Sequence, residues 1–169
     1  MTAASCNRKV LVVGVGNTLL KDDGIGVHVT ESFRASLNAQ LSQSTDTNYD
    51  IIDGGTIGLS LLPVIEDAAA VIVVDASEIG EQPGCMRIFH NQEIDRQLSG
   101  KKKTVHEVAL ADLFSAAAIR GRCPPARALI AIQPESTDWG LEPTPAVRAT
   151  IPMACAAIEE ISRSWRNEA

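Results

Sequence analysis

The sequence has few aromatic residues, no strong charge excess and no long apolar run. Aromatic residues make up 4% of its 169 residues, and the formal net charge is −6 at pH 7. A mildly acidic chain is a poor partner for nucleic acid or for an anionic membrane surface. No apolar run approaches the ~20 residues that span a bilayer, and the first residues lack a signal-peptide pattern. We therefore expect a cytoplasmic protein that neither binds nucleic acid nor inserts into a membrane.

Several familiar site patterns are also missing. The four cysteines, Cys6, Cys85, Cys123 and Cys155, are scattered without a Cys-x-x-Cys pair, which favours reduced thiols over a disulfide framework or a zinc knuckle. There is no Gly-x-Ser-x-Gly, no His-Glu-x-x-His and no phosphate-binding loop. A dinucleotide fingerprint that begins at Gly14 would need a third glycine at position 19, which is leucine. Nucleotide binding is therefore the weakest of the functional hypotheses.

Strand-like and helix-like segments alternate along the chain. Apolar runs predict strands over residues 9–15, 49–53, 70–75, 85–89 and 128–132, whereas helical periodicity predicts helices over residues 25–41, 58–67 and 107–119. A last helix, capped by Thr144, is expected from residue 145 to about 165 with a kink at Pro152. Residues 90–104 are predicted to be polar and irregular. This alternation predicts one α/β domain over residues 1–169: a three-layer sandwich in which helices flank both faces of a twisted sheet of about five mostly parallel strands.

Acidic residues follow three of the predicted strands. Asp23 comes after the first strand, Asp53 ends the second and Asp75 ends the third, while His106 precedes a helix. Because the carboxyl ends of parallel strands meet at one sheet edge, these side chains are expected to share a crevice. Two carboxylates and an imidazole suit an open site for a divalent transition metal. Asp23 and His106 have a plainer interpretation as helix caps, whereas a buried Asp75 needs a partner or a metal.

Five motifs in the correct order carry a resemblance to a known family. They are Gly14-Val-Gly-Asn-Thr-Leu-Leu-Lys-Asp-Asp-Gly-Ile-Gly, Asp53-Gly-Gly-Thr, Val74-Asp-Ala, Thr104-Val-His-Glu and Ile132-Gln-Pro-Glu. Together they cover nearly the whole chain and resemble the nickel-iron hydrogenase maturation endopeptidases. The resemblance implies a single α/β domain that removes a short C-terminal extension from the hydrogenase large subunit after nickel insertion.

The resemblance also implies roles for individual residues. The metal contacts fall on Asp23, Asp75 and His106; many members carry Glu at the first position, so Asp23 is one methylene shorter. The substrate-binding residues fall on Asn17 and on the segment Asp53, Gly54, Gly55 and Thr56. Asp22 is expected to cap or orient the turn after the first strand. The glycines of that turn are expected to clear space for an approaching protein tail.

The resemblance implies that nickel is supplied by the substrate, held by cysteines of the large subunit precursor, and that no organic cofactor is bound. Three roles remain open: nickel polarises the scissile carbonyl, nickel activates water, or Asp23 or Asp75 acts as a general base. We expect a monomer, and the loop 133–143 with Trp139 is a candidate docking surface. The alternatives are a metallohydrolase that carries its own divalent metal and a non-catalytic chaperone that inspects the nickel site.

Overall fold

Five strands form one sheet: β1 (Val10–Val15), β2 (Tyr49–Gly55), β3 (Ala70–Ala76), β4 (Met86–His90) and β5 (Ala126–Ile132). The computed structural model, which describes residues 9–40, 48–56, 58–100 and 105–168, orders them β2-β1-β3-β5-β4. β1 pairs in parallel with β2 and β3, β3 pairs in parallel with β5, and β4 runs antiparallel to β5. The predicted five-stranded, mostly parallel sheet is confirmed.

Helices cover both faces of this sheet. They are α1 (Ile25–Gln40), α2 (Leu62–Asp67), α3 (Gln92–Leu98), α4 (Val105–Ile119), α5 (Pro145–Arg148) and α6 (Ile151–Glu168). Side chains of α1 and α6 share one buried cluster with alternate strand residues such as Val10 and Val12. Side chains of α2, α3 and α4 share the other with Leu11 and Val13. The period-two alternation of the strands thus fills two cores, and the three-layer sandwich is confirmed.

The segment 90–104 differs from its prediction as irregular chain. Its middle forms α3, in which Ile94 is fully buried and Leu98 is 2% exposed. These two apolar residues are four positions apart and therefore lie on one helical face. The many polar residues around them obscured this spacing. Thr104 of the proposed family motif lies outside the described residues, as does Cys6.

The last helix is divided into α5 and α6, and no kink lies at Pro152. Pro152 is the second residue of α6, a position where the missing N–H costs nothing. The Thr144 side chain does not cap α5; its hydroxyl donates to Asp22 instead. The helix that follows residues 101–104 begins at Val105, so His106 lies inside its first turn.

Within the described ranges, no helix combines the length and the apolar character needed to cross a bilayer. The three cysteines of those ranges, Cys85, Cys123 and Cys155, form no disulfide. The prediction of free thiols is confirmed for these three cysteines.

Candidate active site

The carboxyl ends of three parallel strands bring the predicted site segments to one sheet edge. Gly14 of β1 lies in register with Asp53 of β2 on one side and with Val74 of β3 on the other. After β1 the chain turns back through a short 3₁₀ segment, Lys21–Gly24, before α1 begins. That segment carries Asp23 to the edge at which β3 ends with Asp75. The parallel topology of the sheet therefore brings these segments to one edge, as predicted.

Asp23 and His106 form a direct pair at this edge. Asp23 Oδ2 lies 2.9 Å from His106 Nε2, and the side chains are 11% and 9% exposed. The backbone amide of Asn17 donates to the same oxygen at 3.0 Å. Burial alone would raise the pKa of Asp23, but the hydrogen bonds from His106 and Asn17 outweigh it and lower the pKa. The pair therefore favours carboxylate and imidazolium together.

The contact with Asp23 also changes the pKa of His106. Its hydrogen bond to Asp23 is the main reason that its pKa is raised, against the opposing effect of burial. The charges of Asp23 and Asp75 raise the pKa of His106 further. Nδ1 of the ring is buried and has no hydrogen bond of standard geometry in the described part of the chain. A metal contact at His106 would have to displace the bound proton.

Asp75 is the least satisfied charged group of the site. It is completely buried, and neither carboxylate oxygen has a hydrogen-bond partner of standard geometry among the described residues. Burial raises its pKa to about 8; the charge of His106 opposes the rise, whereas Glu107 and Asp23 add to it. An unpaired buried carboxylate is costly, so Asp75 contributes nothing evident to the stability of the fold and is a candidate functional group.

These three side chains do not form a preassembled metal cage. Across residues 9–40, 48–56, 58–100 and 105–168, no group of three or more His, Cys, Asp or Glu side chains is arranged to hold a metal ion. Asp23 and His106 are hydrogen-bonded to each other, whereas the oxygens of Asp75 have no partner of standard geometry in the part of the chain that the structure describes. The donor types nevertheless suit a borderline divalent metal. A metal at this edge would therefore need ligands from another molecule or a shift of these side chains.

Asp22 has the opposite environment, although it is the neighbour of Asp23. It is fully buried, and its Oδ2 accepts from the amides of Glu135 and Ser136 at 2.9 and 3.0 Å. The amide of Thr144 donates to Oδ1 at 2.6 Å, and the hydroxyl of Thr144 donates to Oδ2 at 2.9 Å. Asp22 therefore anchors a loop that is more than 110 residues away in sequence, a wider role than orienting its own turn.

The glycines of the first turn make room for this chain's own backbone. Gly16 has a φ of +133°, and a Cβ there would overlap the carbonyl of Asp23. A Cβ at Gly14 would overlap the carbonyl of Gly26 in α1. The expectation that these glycines clear space for an incoming protein tail is therefore wrong. They let the acid-bearing turn and α1 pack against the end of β1.

The predicted substrate-binding residues lie along the same edge. Asp53 and Thr56 are exposed at the end of β2, where the register with β1 shifts at Gly14/Val15. Asp53 Oδ1 accepts from the amide of Gly55 at 2.7 Å. The side chain of Asn17 accepts from the amide of Leu19 and so shapes the first turn. Their roles in substrate binding remain predictions.

Sequence reasoning missed two buried polar residues beside the site. Glu107 is 1% exposed, and its charge contributes to the raised pKa of Asp75. Gln133 Oε1 accepts from the amides of Ile79 and Gly80 at 2.9 and 3.1 Å, which holds the loop after β3. Gln133 directly follows a buried strand, and that position was the signal available. Glu107 belongs to the family motif Thr104-Val-His-Glu, but an acid in a first helical turn is usually exposed, so its burial was not predicted.

The chain is a single α/β domain with an open sheet and an acid–histidine pair at the carboxyl edge of that sheet, and comparison with known proteins identifies its family. A family model for hydrogenase maturation proteases matches residues 27–161. The hydrogenase expression/formation protein HupD of Bradyrhizobium diazoefficiens is 36% identical over 165 residues, which cover 95% of this chain and 83% of that protein. The hydrogenase 2 maturation protease of Escherichia coli is 33% identical over 159 residues, which cover 94% and 91%.

Among solved structures, the hydrogenase maturating endopeptidase HybD from E. coli superposes with a TM-score of 0.82 at 31% identity, covering 92% of this chain and 93% of that one. The chain therefore belongs to the hydrogenase maturation protease family. It is a peptidase that acts in hydrogenase maturation. This assignment argues against the alternative of a non-catalytic chaperone.

Proposed function

We propose that this peptidase removes a C-terminal extension from the nickel-loaded large subunit precursor of a nickel-iron hydrogenase. In this proposal, Asp23, Asp75 and His106 contact the nickel that the precursor carries, and nickel is part of the substrate. The observation that carries the proposal is the buried Asp75, whose oxygens have no hydrogen-bond partner of standard geometry among the described residues, beside the Asp23–His106 pair. Substrate nickel would give Asp75 the partner that the fold does not supply.

The electrostatics of the site support a divalent cation as the missing partner. With Asp75 protonated and Asp23 paired with a protonated His106, the three side chains carry no net charge. Loss of the protons on Asp75 and His106 would leave two negative charges, which complement Ni²⁺. Nickel contact would therefore release protons, and the nickel-loaded precursor would bind more tightly than the nickel-free form. This difference in affinity makes cleavage conditional on nickel.

The end of β2 is the expected contact for the peptide to be cleaved. Gly55 has a φ of +50°, and little stands near the place that a Cβ would occupy. Because a backbone without side chains can lie close to another backbone, we infer that Gly55 lies against the extended tail. A Cβ at Gly54 would instead press on Val13 and Gly14 of β1, so a contact of Gly54 with the tail would be through its backbone. Asp53 and Thr56 are exposed beside them and offer polar side chains to it.

The test is incubation of the purified protein with a nickel-loaded, C-terminally extended large subunit, followed by intact mass spectrometry. The expected result is a large subunit shortened by its extension, with the nickel retained. An unchanged mass with a precursor of verified nickel content would contradict the proposed function. Asp23→Asn and His106→Ala are the matched inactive variants for this assay.

The metallohydrolase alternative predicts a different composition of the enzyme itself. A protease that carries its own ion would retain stoichiometric zinc or manganese through purification, and elemental analysis would detect it. Our proposal expects no stoichiometric metal in the purified enzyme and full activity after treatment with a chelator. Activity that is lost to the chelator and restored by zinc or manganese would favour the alternative.

A further inference from the structure

Three large apolar side chains are exposed beside the candidate active site. Leu19 is 49% exposed, Trp139 is 79% exposed and Leu141 is 65% exposed. They come from two segments that are about 120 residues apart in the chain. We call these three side chains the 19/139/141 patch. An exposed apolar cluster that includes a tryptophan is typical of a protein-binding surface.

Backbone hydrogen bonds hold the two segments together. The amide of Lys21 donates to the carbonyl of Gly140 at 2.8 Å, and the amide of Gly140 donates to the carbonyl of Leu19 at 2.9 Å. These bonds form an isolated parallel bridge between Leu20 and Gly140. A side chain at Gly140 would press on the stem of Lys21. The bridge therefore places Leu19 next to Trp139 and Leu141 in a defined arrangement.

Asp22 fixes the same loop from the inside of the protein. Its four accepted hydrogen bonds come from Glu135, Ser136 and Thr144, which lie on both sides of Trp139 in sequence. The amide of Asp22 also donates to the carbonyl of Ser136 at 3.2 Å. The exposed part of the loop is thus tied down at both ends and has little freedom to collapse onto the protein.

The patch and the acid–histidine pair share one short stretch of chain. Leu19 is four residues before Asp23, so their Cα atoms lie within about 14 Å. A protein that brings a metal ion to Asp23 therefore has its neighbouring surface within reach of Leu19 and of the loop bonded to it. This continuity, and not the apolar character alone, identifies the occupant.

We propose that the 19/139/141 patch docks an apolar surface of the large subunit precursor next to its nickel site, and that Asp22 is the positioning residue for this patch. The inference rests on the proposed function and adds a second contact to it. The patch supplies binding energy away from the reacting bond, so its loss raises KM for the precursor and leaves kcat nearly unchanged.

The experiment compares kinetics on nickel-loaded precursor for the wild type and for surface variants. The double variant Trp139→Ala with Leu141→Ala should raise KM by about 10-fold to 100-fold with kcat within about twofold. Trp139→Phe, which keeps an aromatic ring, should recover most of the affinity. Ile119→Ala is the matched control, because Ile119 is 87% exposed and lies about 20 Å along α4 from His106.

Asp22→Asn tests the positioning role. The NH₂ group of Asn cannot accept the hydrogen bonds that one carboxylate oxygen of Asp22 accepts, so the loop loses part of its anchor. KM should therefore rise, while the Asp23–His106 pair remains. Pairing this change with the double patch variant should give no further rise in KM. If the single variant proves unfolded by circular dichroism, the two surface variants alone decide the proposal.

The outcomes separate the two levels of inference. Failure of the wild type to cleave the precursor would overturn the proposed function. Cleavage by the wild type with an unchanged KM in the double patch variant would overturn the patch alone. Self-association of the wild type, measured by analytical ultracentrifugation and lost in the patch variants with KM unchanged, would also overturn the docking proposal. The patch would then bind a second copy of the chain.

Discussion

Asp22 and Asp75 are both fully buried carboxylates, but they differ in the hydrogen-bond donors around them. Asp22 accepts four hydrogen bonds from a loop that packs over it. Neither oxygen of Asp75 has a partner of standard geometry in the part of the chain that the structure describes. The first carboxylate is satisfied by the fold, whereas the second has no comparable set of donors among the described residues.

Burial of an acid therefore does not by itself indicate function. A buried carboxylate with its donors in place stabilises the native state, since hydrogen bonds to charged groups are among the stronger ones. A buried carboxylate without donors lowers stability unless it is protonated or meets a cation. We therefore expect replacement of Asp22 to lower the free energy of unfolding and replacement of Asp75 not to lower it. The following predictions test the roles of these acids.

The largest effect is expected on processing. Asp75→Asn, Asp23→Asn and His106→Ala should each lower kcat/KM for nickel-loaded precursor by at least about 100-fold, because each removes a proposed nickel contact. Gel and intact-mass assays of cleavage measure this loss. Asp50→Asn is the control, since Asp50 is an exposed carboxylate at the opposite end of β2. Near-normal processing by any of the three variants would remove that residue from the site.

The next effect is on stability. Asp22→Asn should lower the free energy of unfolding by about 2–4 kcal/mol, because the amide group faces donors that the carboxylate accepts. Asp75→Asn should not lower it at pH 7, because the buried Asp75 must take up a proton on folding at that pH, whereas the Asn amide is neutral in both states. Urea unfolding followed by circular dichroism measures both changes. Equal destabilisation by the two substitutions would contradict the distinction between the satisfied and the unsatisfied acid.

A third prediction concerns pH and stability. The pKa of Asp75 rises from 3.8 to about 8 in the folded state, so between these values the folded protein binds one proton more than the unfolded chain. Its contribution to the free energy of unfolding therefore falls as pH rises from about 4 to about 8, by up to about 1.4 kcal/mol per unit. Asp75→Asn should abolish this slope. If the stability of this variant falls with pH as steeply as that of the wild type, other titrating groups cause the slope.

The smallest effect is on the pH dependence of cleavage. His106 must be neutral to contact a metal, and its pKa is raised above the usual 6.5. Below that raised pKa the imidazole is protonated, so kcat/KM should increase severalfold as pH rises through a value above 6.5, and deprotonation of Asp75 acts in the same direction. Initial rates across the pH range, with folding checked at each pH, give the profile. A rate that falls with pH over this range would exclude a metal contact by neutral His106.

Much of the fold could be predicted because local patterns and topology agree. The apolar run at residues 70–75 is buried on both faces of the sheet, as its composition indicates. Helix α3 could not be predicted in the same way, since only Ile94 and Leu98 record its buried face. The turn at Gly14 and Gly16 was located correctly, but its packing against Asp23 and Gly26 depends on tertiary contacts.

The site, too, could be predicted only in part from the sequence. Asp23, Asp75 and His106 were brought together by the rule that parallel strands end at one edge, combined with the family motifs. Neither source predicts that Asp23 bonds His106 directly, or that Asp22 bonds Glu135 and Thr144. Those partners are 83 to 122 residues away in the chain, and sequence spacing carries no record of such contacts.

We propose that cleavage requires the substrate's own nickel, and a comparison of two forms of the precursor tests this requirement. The same C-terminally extended large subunit is prepared with and without nickel, and both forms are incubated with the wild-type protein and followed by intact mass. We predict that the nickel-loaded form loses its extension and that the nickel-free form keeps its full mass. Cleavage of both forms at equal rates would contradict the claim.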